Sequence, residues 1–343
     1  MRRLRYILFP FAFIYHLVTW IRNICFDKGV LKSTRFDLPI IAVGNLNMGG
    51  TGKTPQIEYL IRLLSNQYKI AVLSRGYKRA TSGFVLADSA TKVKDIGDEP
   101  FQFFNKFETI SVAVDANRVE GIGKLEELKQ PDVMLLDDAF QHRKVKAGFY
   151  ILLTAYHDLY TNDFVLPAGN LREGRAGAKR ADVIVVTKCP DNLSNEEMQQ
   201  IERKLKPKEH QNVFFTKIAY DSVLLGDETY KTLGDIKEKD VVLISGIANP
   251  NPLKEYLSIN GVSFEHLSFG DHHNFSETEI ENFRKLQADG KMLLTTEKDY
   301  MRLKRHLSLS YVAISSQFIN NKSIFDKKII SYVGQNSKNR IIS

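Results

Sequence analysis

Two rhythms of apolar residues run along this chain. Short, nearly continuous apolar runs recur at 40–43, 69–74, 111–114, 132–137, 150–155 and 181–187. Between them lie stretches with helical spacing. The clearest is PQIEYLIRLLSNQ, in which Ile57, Leu60, Ile61 and Leu64 fall at i, i+3, i+4 and i+7. Strands apolar on both faces that alternate with amphipathic helices predict a parallel sheet wrapped by helices. A second set of the same kind begins at 241–246 and continues at 291–296 and 311–315. The intervening residues are more polar, with KPKEHQ at 206–211 and a charged stretch at 221–240, and NVFFTKIAY (212–220) reads as a connector. The expected organisation is an N-terminal segment 1–30, a first domain 31–215, a linker 216–240 and a smaller α/β domain 241–343. The last part of that second domain is free to pack back on the first.

The first thirty residues break this rhythm. Arg2, Arg3 and Arg5 precede an apolar run from Tyr6 to Ile21, and Arg22, Lys28, Lys32 and Arg35 follow it. Sixteen helical residues reach about 24 Å, short of a hydrocarbon core of roughly 30 Å, and Pro10 and His16 weaken a spanning helix further. A cleaved signal peptide lacks a small-residue cleavage site here. A buried core helix is the competing reading. The pattern fits best a membrane-associated helix embedded in one leaflet, with Trp20 at the interface and basic flanks on anionic headgroups.

With 343 residues, 43% hydrophobic and 26% charged, the chain reads as globular rather than disordered. Cys25 and Cys189 make no disulfide framework and suit a reducing compartment. The net charge of +8 calls for an anionic partner: nucleic acid, an acidic membrane or a phosphorylated substrate. No aromatic–basic interleaving or nucleic-acid module supports the first.

Residues 41–55, IAVGNLNMGGTGKTP, sit between the first strand and the first amphipathic helix. A standard phosphate loop, G-x-x-x-x-G-K-[ST], would carry glycine at Asn47. Gly49, Gly50 and Gly52 still allow successive backbone N–H groups to turn toward phosphate oxygens beside a helix N-terminus. The expected nucleotide-binding residues are Asn47, Met48, Gly49, Gly50, Thr51, Gly52, Lys53 and Thr54, with Lys53 on the β/γ-phosphates and the Thr54 hydroxyl on Mg²⁺. Asp137 and Asp138 follow the apolar run of DVMLLDDAFQHR, where P-loop enzymes place metal-holding acids. VVTKCPD has Thr187 and Lys188 of a guanine-reading [NT]-K-x-D, but Pro190 stands where the aspartate belongs, which favours ATP. The GGTGKT core resembles the deviant P-loops of the MinD/ParA class, although Met48 stands in place of their signature lysine. That resemblance leaves a membrane-associated switch ATPase as the alternative function.

Further polar clusters lie at SRGYKR (74–79), IGDEP (96–100), PAGNLREG (167–174) and FGDHHNF (269–275). Taken in order with GNLNMGGTGKTP and LLDDAFQHR, and with RNICFDKGVLKS, SGIANP and TTEKDYMRL, they resemble the tetraacyldisaccharide 4′-kinases, the lipid A 4′-kinases of Gram-negative bacteria. The likeness runs over about residues 1–304. It implies a P-loop NTPase-like parallel-sheet domain, a second α/β domain and a β-ribbon linker. It also implies transfer from MgATP to the 4′-hydroxyl of an acylated disaccharide 1-phosphate at the cytoplasmic face of the inner membrane, with no obligatory protein partner and no nucleic acid. Residue by residue, it implies that Lys53 and Thr54 are the P-loop pair, Asp98 the catalytic base and His272 the residue supporting that base. It implies that Thr54, Asp137, Asp138 and Glu173 surround the metal. Arg75, Glu99, Arg118 and Arg172 are then candidates for the substrate, the arginines for its 1-phosphate or for transition-state charge. Asn170 and Ala139 depart from the family's usual proline and glycine.

Overall fold

A computed structural model of the chain describes residues 3–337 apart from Glu228 and His272. It forms two compact units, one running to Ile218 and resuming at Ser316, the other Ala219–Ser315.

In the first unit the chain runs through α1 (Phe9–Asp27), β1 (Ile40–Asn45), α2 (Lys53–Leu64), β2 (Ile70–Ser74), β3 (Val85–Leu86), α3 (Val93–Ile96) and α4 (Asp98–Lys106). It continues with β4 (Ser111–Val114), α5 (Arg118–Lys129), β5 (Val133–Asp137), β6 (Phe149–Ala155), β7 (Val183–Thr187), α6 (Asn195–Leu205) and β8 (Asn212–Leu225). The strand order is β8-β7-β6-β1-β5-β2-β4-β3, parallel throughout except for the short β3. Both faces are covered, which is why these strands read as unbroken apolar runs. Ile41, Val43, Val72 and Leu135 pack with Ile57, Leu60, Ile61 and Leu64 of α2. Ile40, Ala42, Leu73 and Leu136 pack with Ile122 and Leu125 of α5. On the β6–β7 side, Leu152, Ile184 and Val186 meet Met198, Ile201 and Leu205 of α6.

Parallel strands place every carboxyl end on one edge, and β1 lies between β5 and β6, where the strand order turns. Residues 45–54, 74–75, 115–118, 137–142 and 187–188 therefore share that edge.

The second unit holds β9 (Val241–Ser245), α7 (Asn251–Ile259), β10 (Phe264–Ser268), α8 (Glu277–Ala288), β11 (Met292–Thr296), α9 (Glu297–Leu303) and β12 (Ser310–Phe318), in strand order β10-β9-β11-β12. The final helix, α10 (Lys322–Asn336), belongs to the first unit and buries Phe325, Ile329 and Val333 there. The stretch read as a connector is the continuous strand β8. Adjacent Phe214 and Phe215 face opposite sides of the sheet, so no alternation showed in the sequence. Leu224, Leu233 and Ile236 pack in the core of the second unit.

No helix among the described residues is long and apolar enough to cross a membrane. Pro10 sits in the first turn of α1, where its missing N–H has no intrahelical acceptor to lose. The helix has its polarity inside out. Ala12 and Thr19 are buried and Tyr15 and Asn23 half-buried, while Phe11, Phe13, Ile14, Val18 and Trp20 are each more than half exposed.

Candidate functional site

The P-loop is held by partners on every side. Gly52 takes a left-handed φ of 83° immediately before α2, and Gly49 one of 115°, conformations that a side chain would strain. Asn45, fully buried, donates from Nδ2 to the Asn47 carbonyl at 2.8 Å. The Thr187 hydroxyl donates to the Thr51 carbonyl at 2.8 Å, and Lys188 Nζ to the Gly50 carbonyl at 2.6 Å. Asn47, at the position of the missing glycine, is wholly buried and bridges antiparallel to Leu171, while Met48 is half exposed. Here the loop is a strand-like arm: Met48 N–H donates to the Asn170 carbonyl and Arg172 N–H to that of Leu46.

The acids lie directly opposite. Lys53 Nζ stands 3.6 Å from Asp138 Oδ1 and 3.5 Å from Asn45 Oδ1. Arg172 Nη1 lies 2.9 Å from both Asp138 oxygens. Burial pushes the Asp138 carboxyl up, but Lys53 and Arg172 outweigh it and leave the group below the ordinary carboxylate range. Asp137 makes no ion pair this close among the described residues. It accepts the Ser74 hydroxyl at 3.0 Å, and burial, then Asp138, pushes it up to about 6 despite Lys53, with Glu99 adding to the rise. Two adjacent carboxylates thus differ in acidity by environment alone. The oxygen donors Asp137, Asp138 and Thr54 fit a hard cation such as Mg²⁺, and a buried carboxylate lacking compensation is where such a cation gains most. Among the described residues no three His, Cys, Asp or Glu side chains form a ready cage. Mg²⁺ usually takes one or two carboxylates and completes its shell with water and phosphate.

Two of the expected site residues are buried among protein partners. Glu173 is fully buried and accepts from Arg180 at 2.7 and 3.0 Å, Asn23 at 2.6 Å and Gln141 at 3.1 Å. These donors brace its loop, and a metal at this carboxylate would have to displace one of them. Arg118, 2% exposed, donates to the carbonyls of Asp115 and Asp137. Burial lowers its guanidinium to about 10, still cationic at neutral pH, and its charge acts on both acids.

Arg75 is exposed at the end of β2, near enough to Arg118 and His142 to lower both. Asp98 and Glu99 open α4 after Gly97, whose φ is 90°. A Cβ on Gly97 would stand 2.9 Å from the Tyr77 carbonyl, so the GDEP and SRGYKR loops are in direct contact. His272 lies outside the described residues. In the second unit its neighbour His273 stacks on Phe269 and pairs with Glu279 at 3.0 Å. TTEKD there is a structural clamp, with Asp299 accepting from Gly246 N–H and the Thr296 hydroxyl.

Four contributors escaped the sequence reading: Asn45, Ser74, Gln141 and Lys188. Lys188 was weighed only as a base reader, although its left-handed φ of 57° and its bond to Gly50 make it a brace of the phosphate loop.

The family described as Tetraacyldisaccharide-1-P 4'-kinase matches residues 4–333. A Tetraacyldisaccharide 4'-kinase of Flavobacterium johnsoniae is 56% identical over 340 residues, 98% of this chain and 99% of the relative. One from Bacteroides thetaiotaomicron is 41% identical over 361 residues, 98% and 95% of the two chains. Among solved structures, the "apo" form LpxK of Aquifex aeolicus in complex with ATP superposes with a TM-score of 0.79 at 29% identity, covering 96% of this chain and 99% of that one.

Proposed function

The chain belongs to the tetraacyldisaccharide-1-P 4'-kinase family, and on that premise we propose that its P-loop edge holds MgATP for transfer to the 4′-hydroxyl of a tetraacyldisaccharide 1-phosphate. The activity itself, a kinase step of lipid A biosynthesis that uses ATP, is that of the family. Lys53 and the backbone N–H groups of residues 49–54 receive the β/γ-phosphates. Thr54, Asp137 and Asp138 hold Mg²⁺, which when bound neutralises charge on the phosphate oxygens. Arg172 and Lys53 converge on Asp138, which keeps both cations beside the place of the γ-phosphate.

Asp98 serves as the base for the attacking hydroxyl, with His272 supporting it, as the family resemblance gives these residues. Arg75, exposed on the edge near Asp98's loop, is the arginine best placed for an incoming phosphate, and Glu99 lies alongside. The acceptor is a multiply acylated lipid, and the outward apolar face of α1 is the surface that meets it, at the cytoplasmic side of the inner membrane.

One observation carries this reading: Asp138 sits between the P-loop lysine and Arg172, at the carboxyl edge of the parallel sheet. The test is transfer of the γ-phosphate of labelled ATP to an acylated disaccharide 1-phosphate in mixed micelles. Loss on the order of 10²-fold or more is expected in Lys53→Ala and in Asp98→Ala. Full turnover by Lys53→Ala would remove the phosphate-loop assignment, and full turnover by Asp98→Ala its role as base.

A further inference from the structure

A helix that served only as a lipid anchor would need no particular tie to the chemistry. Along most of its length α1 is tied to one segment, residues 163–174, and only its last turn meets Arg143, through Asp27 and Phe26, among the described residues. Arg5, just before the helix, donates to the carbonyls of Pro167 at 3.1 Å and Gly169 at 2.7 Å, and to Asn170 Oδ1 at 2.9 Å. Phe9 packs edge-on against Phe164. The Tyr15 hydroxyl donates to the Arg172 carbonyl at 2.8 Å, and Asn23 Nδ2 to Glu173 Oε2 at 2.6 Å. A Cβ on Gly174 would collide with the His16 ring.

That same segment is built into the phosphate site. It pairs with the P-loop arm through Leu171 and Asn47, and it carries the Arg172 guanidinium onto Asp138. Glu173 ties it again through Gln141, whose amide also donates to the Asn45 carbonyl at 2.9 Å. The path from helix to phosphate loop is therefore continuous hydrogen bonding: Tyr15 to residue 172 to Leu46, and Asn23 to Glu173 to Gln141 to Asn45.

We propose that α1 positions Arg172 for phosphoryl transfer, with Tyr15 and Asn23 as the positioning residues. Tyr15 holds the arginine's own carbonyl and Asn23 the side chain of the next residue, so that the guanidinium and the P-loop arm keep one geometry. The choice of polar side chains follows from this task. Hydrogen bonds fix direction as well as distance, whereas an apolar contact would let the segment slide. The proposal rests on the reading of Arg172 as a residue of the phosphate site.

The test is a double-mutant cycle in detergent micelles with a short-chain acylated disaccharide 1-phosphate, where partition into a bilayer plays no part. Tyr15→Phe combined with Asn23→Ala should lower kcat on the order of tenfold, the scale of a small misplacement of a catalytic group, while the KM of the acceptor stays within about twofold. Placed in an Arg172→Ala background, the same pair should cause little further loss. Tyr15→Phe alone, which removes a single hydroxyl, guards against misfolding and should give part of the effect with an unchanged thermal midpoint. Equal losses in both backgrounds, or a rise in acceptor KM with kcat intact, would overturn the positioning role while leaving the site standing. Wild-type activity in Arg172→Ala alone would instead remove the site reading, and the proposal with it.

Discussion

Asp137 ends β5 with 8% of its surface exposed and one hydroxyl partner, Ser74, while its neighbour Asp138 takes both nearby cations. Its folded carboxyl titrates near 6 against an ordinary 3.8, because burial and then Asp138 oppose ionisation. The folded state therefore keeps a proton that the unfolded chain has released between these two values. Stability falls as pH rises through that window and stays lost above it. At 1.36 kcal/mol per pK unit, about two units amount to about 3 kcal/mol at neutral pH.

Asp137→Asn removes this titration while keeping shape and the Ser74 contact. At pH 7.5 the variant should melt roughly 5–10 °C above the parent, for a unit of this size. At pH 4 the difference should shrink to about 0.6 kcal/mol, since the folded carboxyl is then protonated and the unfolded one only about half ionised. Adding Mg²⁺ and ATP should reverse the order, because the parent gains the cation that its carboxylate lacks. Kinase activity should fall on the order of 10²-fold. Calorimetry across pH 4–8 makes the comparison. A stabilisation equal at pH 4 and pH 7.5, or a loss of stability at pH 7.5, would refute the argument from burial and like charge.

Two further outcomes follow from the geometry. Lys188→Met keeps the aliphatic stem but deletes the charged hydrogen bond to Gly50, so the Kd for ATP should rise roughly tenfold, equivalent to about 1.4 kcal/mol; unchanged ATP binding by titration calorimetry would reduce Lys188 to a bystander. Gly44→Ala places a Cβ 2.7 Å from Phe140 Cβ and 2.9 Å from its backbone nitrogen, two residues beyond Asp138. It should cost about 1–3 kcal/mol in a urea titration and slow turnover as well, and a neutral result would mean that this junction can yield.

Much of the fold was written in local patterns. Apolar runs at 70–74, 111–114 and 133–137 gave strands because a parallel strand buries both faces. Glycines at 49, 50 and 52 followed by Lys53-Thr54 marked the phosphate loop because the backbone conformations it needs are a property of those residues themselves. Phe214-Phe215 hid its strand, and the inward face of α1 hid under an overall apolar composition. Full-length likeness to a kinase family then fixed the reaction.

What a polar residue does at the site depended on partners far along the chain. The oxygens of Glu173, a metal-ligand candidate from its motif, are met by Asn23, 150 residues away, and by Arg180. Arg118, a substrate candidate from its motif, is bound by the end of β5 and the turn after β4. Lys188 reaches Gly50 across 138 residues, and Tyr15 reaches Arg172 across 157. The sequence by itself determined which groups are present and the local backbone that carries them. Only the tertiary structure decided which charges are buried, which are paired and which remain to act, because desolvation and pairing are set by segments that meet only once the sheet has formed.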